Sequence, residues 1–139
     1  MNIYFACSIT GGRDDQTVYQ TIVAALQSDG HEVPTALLAT PQVMALEGIV
    51  DPMEVYRRDA AWIEGCDLLV AEVSTPSHGV GYEIGYALGR GKPVLCLHRQ
   101  GVNVSKMILG NQDPNLHLLV YQTPDEAVHA LRVHIDGFN

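Results

Sequence analysis

The segment Ser74–Gly85, STPSHGVGYEIG, concentrates the residue types from which a reactive site is built. Ser74, Thr75 and Ser77 offer hydroxyls, and Gly79 and Gly81 let backbone approach a ligand closely. The segment follows an apolar run and leads into a helical pattern. The first N–H groups of that helix point at whatever lies here, so an anion is welcome. Glu83 is expected in the first helical turn, where the macrodipole favours its ionised form by about 0.3–1 kcal/mol. An ionised carboxylate beside an anion site suits stabilising, or attacking, a cationic sugar carbon. The alternative is that Glu83 only complements the helix dipole. The segment is not a dinucleotide fingerprint, because G-x-G-x-x-G needs glycine where Ile84 stands.

Asp59 is the second candidate. In a helix from about Pro52 to Cys66 it shares a stripe with Val55, Trp62 and Cys66. A carboxylate on an apolar stripe is costly unless it is paired or protonated. A protonated one can give its proton to a leaving group. The alternative is an ion pair with Arg57 or Arg58, or exposure at the edge of the stripe. Tyr4 lies in the first strand, whose end faces the same rim, and alone it reads more readily as a core aromatic. Cys7 reads as packing, since no base is visible beside it. His78 reads as a solvated loop residue, and His129 and His134 diverge on a helix, so no metal site is expected.

The elements that must position these residues alternate between short apolar runs and longer helical patterns. Asn2–Cys7 reads as a first strand and His31–Thr35 as a weak second one. Asp67–Val73 (DLLVAEV) is nearly continuous apolar sequence and suits a strand buried on both faces. Pro93–His98 and Leu116–Tyr121 complete five strands. Helices are expected at Asp15–Asp29, capped by Gly30, and at Gly79–Arg90. Further starts are expected at Thr40-Pro41 and at Asp51-Pro52, where Glu54 has capping-box spacing. A last helix opens at Thr123-Pro124-Asp125-Glu126 and runs to about Ile135. Strands alternating with helices predict a single α/β domain over residues 1–139, a three-layer sandwich with a five-stranded parallel sheet, flavodoxin-like or Rossmann-like. Ligands in such sheets sit at the carboxyl ends of strands, which directs attention to the loops after Cys7, Val73 and His98.

Composition narrows the partners. The chain has 139 residues, with 47% hydrophobic and 17% charged, enough for one core without disulfides or metals. Its net charge of −8 argues against a nucleic-acid polymer, although one phosphate can still be held at a helix N-terminus. The three cysteines, Cys7, Cys66 and Cys96, are odd in number and widely spaced. They read as reduced thiols in a cytoplasmic protein. Nothing resembles a signal peptide or a membrane span.

Five blocks occur in order: YFACSITGGR at Tyr4–Arg13, RRDAAW at Arg57–Trp62, GCDLLVAEV at Gly65–Val73, PSHGVGYEIGYALGRGKPVLCL at Pro76–Leu97 and SKMILG at Ser105–Gly110. Together they resemble the 2′-deoxynucleoside 5′-phosphate N-hydrolases, relatives of the nucleoside 2-deoxyribosyltransferases, over nearly the whole chain. The resemblance implies that Glu83 attacks or stabilises the anomeric carbon, that Asp59 assists the departing base, and that Tyr4 orients the glutamate. It implies phosphate contacts at Ser8, Ser77 and Gly79, with Ile9, Thr10, Gly11 and Arg13 of the same glycine loop on the substrate. It further implies a homodimer in which Ser105 reaches the neighbouring subunit's phosphate, with Met107 beside the base or sugar. The transferases that act on free nucleosides carry aspartate at the position of Ser77 and asparagine at that of Ser105. A neutral donor replaces a charge that would repel phosphate, so both positions favour a 5′-phosphate. The chain departs from the family pattern at Thr10, commonly an arginine, where Arg13 or Lys106 can substitute. It departs again at Leu37, where the well-known hydrolases have a histidine in the base pocket.

The expected reaction is therefore deoxynucleoside 5′-monophosphate plus water giving free base and 2-deoxyribose 5-phosphate, without cofactor or metal. The rivals are a deoxyribosyltransferase that passes the sugar to a second base, and a nucleotide-binding sensor module without catalysis.

Overall fold

The apolar runs become parallel strands. A computed structural model, which describes residues 1–9, 15–40, 42 and 48–138, places β1 at Ile3–Ala6, β2 at Leu68–Glu72, β3 at Val94–Arg99 and β4 at Leu116–Tyr121. They pair in the order β1-β2-β3-β4, each pair parallel. Helices are α1 (Gln16–Ser28), α2 (Pro52–Gly65), α3 (His78–Leu88), the short α4 (Lys106–Leu109) and α5 (Pro124–Asp136), with a 3-10 turn at Ala36–Ala39. The expected helix start at Thr40-Pro41 falls largely outside the described residues. No helix is long and apolar enough to cross a membrane, among the described residues.

The two-residue repeat of a strand divides the interior. Ile3, Phe5, Leu68, Val70, Leu95 and Leu97 face α1 and α5 and join one buried cluster. Tyr4, Ala6, Leu69, Ala71, Val94 and Cys96 face α2 and α3 and join another. Both faces of β2 are buried, which is why its sequence is a run and not an alternation. Each fully buried large apolar side chain contributes about 1.5–3 kcal/mol, so the centre of the sheet is the rigid part of the molecule. Cys7, Cys66 and Cys96 are buried and none is in a disulfide.

The expected five strands are four among the described residues, because His31–Thr35 does not form one. It keeps a single parallel bridge, Asn2 to Glu32. Glu32 O accepts from Ile3 N at 2.8 Å, but the ladder cannot continue past Pro34, which has no N–H to give. Thr35 instead turns its buried hydroxyl to Phe5 N at 2.9 Å, and the chain enters the 3-10 turn. One side chain thus replaces the carbonyl a full edge strand would have supplied.

Local signals set the helix ends that matter for the site. Asp51 accepts from Met53 N at 2.8 Å, with Pro52 at the first helical position of α2. Lys92 Nζ closes the far end by donating to Cys66 O at 2.9 Å. Thr123 accepts from Glu126 N at 3.2 Å at the start of α5. Gly30 follows α1 at φ 84°, a conformation that favours glycine.

Candidate active site

The carboxyl ends of β1 and β2 and the facing sides of α2 and α3 enclose a cleft of about 460 Å³. Ile9, Asp59, Ser77, Gly79 and Glu83 all line it. Ser77 caps α3, its hydroxyl oxygen accepting from Val80 N at 3.3 Å. The amides of Val80 and Gly81 are already bonded to Ser77, so of the first-turn residues that line the cleft Gly79 is the one whose N–H can meet an anion, together with the Ser77 O–H. A Cβ on Gly79 would meet only Ser77 Oγ, at 3.9 Å. Packing inside the chain therefore does not require glycine, and the space it leaves is available to a ligand.

Glu83 does not lie in the first turn of α3, which holds no acidic residue. With Ser77 as cap and His78 as the first helical residue, Glu83 falls in the second turn, and a start at the expected Gly79 would also have left it past the first 3.6 residues. The macrodipole is weak there, and a direct contact takes over. Tyr4 Oη donates to Glu83 Oε1 at 2.8 Å. Tyr4 is completely buried. Burial first, then the charges of Glu83 and Asp59, push its phenol well above the ordinary range, so it stays protonated and remains a donor. The glutamate is half-buried and its carboxylate accepts from a phenol that is itself packed in the core.

Asp59 faces the cleft from α2 with 16% of its side chain exposed. It shows the ion-pair alternative: Arg58 Nε donates to Asp59 Oδ1 at 2.8 Å, with the Arg58 guanidinium 4.9 Å from the centre of the Trp62 ring. Both Glu83 and Asp59 act electrostatically on Tyr4, so the three groups form one cluster.

The other expected site residues are divided. Ser8 is fully buried and lies behind the cleft wall formed by Cys7 and Ile9. Thr10, Gly11 and Arg13 lie outside the described residues. Ser105 and Met107 line a separate depression of about 470 Å³ on the far side of the α3 N-terminus, shared with Ser77, His78 and Asn103. Ser105 caps α4 by accepting from Met107 N at 3.2 Å, and Met107 is 84% exposed. Leu37 is exposed on the 3-10 turn.

Sequence reasoning missed a second polar cluster. Glu72 is completely buried at the end of β2, on the α1 and α5 face. It accepts from the Ser74 hydroxyl and, at 3.0 Å, from Tyr121 Oη. Burial, reinforced by the negative charge of Asp15, raises its carboxyl to about 7, against the opposing pull of the Ser74 and Tyr121 hydrogen bonds. Asp15, also buried, pairs with Arg99 and accepts from Thr75 Oγ1 at 2.8 Å. The signal for it was Glu72, the carboxylate that interrupts the apolar stretch Leu68–Val73.

The nucleoside 2-deoxyribosyltransferase family model matches residues 3–125 of this chain. A Methanosarcina mazei protein bearing the name of a 2′-deoxynucleoside 5′-phosphate N-hydrolase is 43% identical over 125 residues, 90% of this chain and 76% of its own. The Mus musculus 5-hydroxymethyl-dUMP N-hydrolase is 42% identical over 116 residues, 81% of this chain and 66% of its own. Among solved structures, the Clostridium botulinum CMP N-glycosidase has the same fold, with a TM-score of 0.74 over 96% of this chain and 99% of that one at 23% identity.

Proposed function

The chain belongs to the nucleoside 2-deoxyribosyltransferase family, and from that premise we propose that it hydrolyses the N-glycosidic bond of 2′-deoxynucleoside 5′-monophosphates. The observation that carries this reading is the Tyr4–Glu83 hydrogen bond at the base of the cleft. A carboxylate fixed by a buried phenol suits a reaction in which positive charge develops at a nearby carbon.

The 5′-phosphate lies at the capped N-terminus of α3, held by the Ser77 hydroxyl and by the Gly79 amide. This places the sugar against Glu83. As the C1′–N bond breaks, its electron pair leaves with the base, and Glu83 stabilises or captures the oxocarbenium-like centre. Asp59 supports delivery of a proton to the base nitrogen. Water then adds hydroxyl to C1′, displacing the Glu83 carboxylate where that has bonded, and its other proton balances the one given to the base, releasing 2-deoxyribose 5-phosphate. Ser77 and Ser105 are neutral hydroxyl donors and so tolerate the phosphate dianion. In the proposed homodimer, Ser105 of one subunit reaches the phosphate in its neighbour.

The test is incubation with a panel of deoxynucleotides, following base and sugar phosphate by chromatography. The expected result is equimolar free base and 2-deoxyribose 5-phosphate, with Glu83→Gln slower by at least about 10²–10³-fold. A new nucleotide formed when an acceptor base is supplied would establish transfer in place of hydrolysis. Nucleotide binding with no product would leave a sensor module.

A further inference from the structure

The cleft has a wall that the chemistry above does not use. Tyr56 on α2 and Tyr82 on α3 meet edge to face across the seam between the two helices, ring centroids 6.3 Å apart at 65°. Tyr82 stacks on Tyr86 at 6.0 Å and 27°. Tyr86 is fixed from behind: its hydroxyl donates to Glu64 at 2.6 Å, and the Arg90 guanidinium lies 3.4 Å from its ring centroid. All three tyrosines line the cleft that holds Glu83 and Asp59.

Their placement follows from helical spacing. Tyr56 precedes Asp59 by three residues, Tyr82 is adjacent to Glu83, and Tyr86 follows Glu83 by three. Each carboxylate therefore has an aromatic ring within one helical turn. Yet Tyr56 is 52% exposed and Tyr82 58% exposed. Large aromatic faces left in water beside a cleft suit a flat heteroaromatic ligand, because stacking needs a π surface and no particular hydrogen-bond pattern. Apolar Val50, Pro52 and Val55 continue this side of the cleft. The capped helix end offers a hydroxyl and an amide to an anion, the middle offers two carboxylates, and the tyrosine side offers rings. That order is the order of phosphate, sugar and base in a mononucleotide.

We propose that Tyr56 and Tyr82 form the platform for the base, and that they set leaving-group preference towards bases of large stacking area, purines ahead of pyrimidines. The proposal rests on the hydrolase reading of the same cleft and adds the residues that select among its substrates. Tyr86, Glu64 and Arg90 act through Tyr82 and are positioning residues.

The test measures binding by calorimetry to full-length protein carrying Glu83→Gln, so that no probe is consumed. The probes are dGMP, dCMP and 2-deoxyribose 5-phosphate. Tyr56→Ala and Tyr82→Ala should each weaken dGMP about tenfold, equivalent to about 1.4 kcal/mol. They should weaken dCMP less and leave the base-less sugar phosphate within about twofold, and the Phe variants should retain dGMP affinity. Equal loss for all three probes, unchanged dGMP affinity, or an altered solution mass with unchanged affinity would overturn the platform; the last outcome makes the pair a subunit contact. Selective loss of dGMP in a protein whose unmutated form releases no base keeps the platform and removes the hydrolysis. Base release by an enzyme whose dGMP affinity ignores both tyrosines does the reverse. A parent that binds neither nucleotide removes both.

Discussion

Removing the Tyr4 hydroxyl isolates one interaction. The ring is fully buried in the cluster with Ile63, Leu69, Ala71 and Ile84, and phenylalanine keeps that packing. What disappears is the 2.8 Å hydrogen bond to Glu83 Oε1. A hydrogen bond to a charged group contributes about 1.5–3 kcal/mol, and about 1.4 kcal/mol is a factor of ten in rate. Tyr4→Phe should therefore lower kcat/KM for base release by roughly 10- to 150-fold. Stability should change little, because Glu83 is only half-buried and water can take the lost donor's place. The assay is steady-state kinetics on a deoxynucleotide for Tyr4→Phe, Glu83→Gln and the double variant, with urea unfolding of each. If Tyr4 acts only through Glu83, the double variant falls no further than Glu83→Gln alone. Additive losses in the double variant, or Tyr4→Phe activity within twofold of the parent, would refute the reasoning.

Ser105→Ala should weaken nucleotide binding by roughly 1.5–3 kcal/mol and affect the matching unphosphorylated nucleoside far less; an unchanged phosphate preference, or a fully active monomer by light scattering, shows that Ser105 only caps α4. Glu72 gives a pH dependence of stability. Its carboxyl rises from 4.5 to about 7 in the folded chain, so the folded state holds that proton more tightly than the unfolded one. Its contribution is complete below about pH 4.5 and is lost as pH rises to about 7, by about 3 kcal/mol in all. Glu72→Gln should remove that slope from urea midpoints taken between pH 5 and 8, and a slope that survives the substitution assigns it to other groups.

The arrangement of elements was legible where punctuation and burial agree. Asp51-Pro52 and Thr123-Pro124 announced two helices because aspartate or threonine satisfies a first-turn amide and proline lacks the one that would be orphaned. Leu68–Glu72 announced a central strand because both its faces are covered. His31–Thr35 misled because the segment was counted as a strand without asking which amide Pro34 removes and what the Thr35 hydroxyl can replace. In the site, Glu83 was visible from its place after the strongest strand and a glycine-rich loop. Tyr4 could be named from its place in the first strand, but its pairing with Glu83 came only through resemblance, since the two lie 79 residues apart in sequence and meet through a strand register that no local spacing encodes. The tyrosine wall was hidden for a related reason. Tyr82 and Tyr86 have helical spacing, but Tyr56 reaches them from another helix. Glu72 was hidden by its apolar neighbours, although a lone carboxylate in a buried run demands partners.

The sheet explains why two tyrosine–glutamate pairs in one small domain have different fates. Tyr4 is in register with Leu69, so it shares that residue's face, towards α2 and α3. Glu72 is three residues further along β2, and an odd step along a strand turns a side chain to the opposite face. Tyr4 therefore serves Glu83 on the cleft side, while Tyr121 and Ser74 serve Glu72 on the α1 and α5 side. The first carboxylate is half-buried and lines a cavity, whereas the second is sealed from solvent. Access separates them, and so does load: Ser74 Oγ, held by Glu72, also accepts from Arg99 N at 2.8 Å. That contact ties the end of β2 to the end of β3 immediately before the loop leading to Ser77. Glu72 thus braces the loop that leads to the proposed anion site, and on this reading it does not enter the reaction. On this division, Glu72→Gln changes how stability responds to pH and leaves kcat near its parent value. A variant that loses turnover at unchanged stability would place Glu72 in the chemistry and undo it.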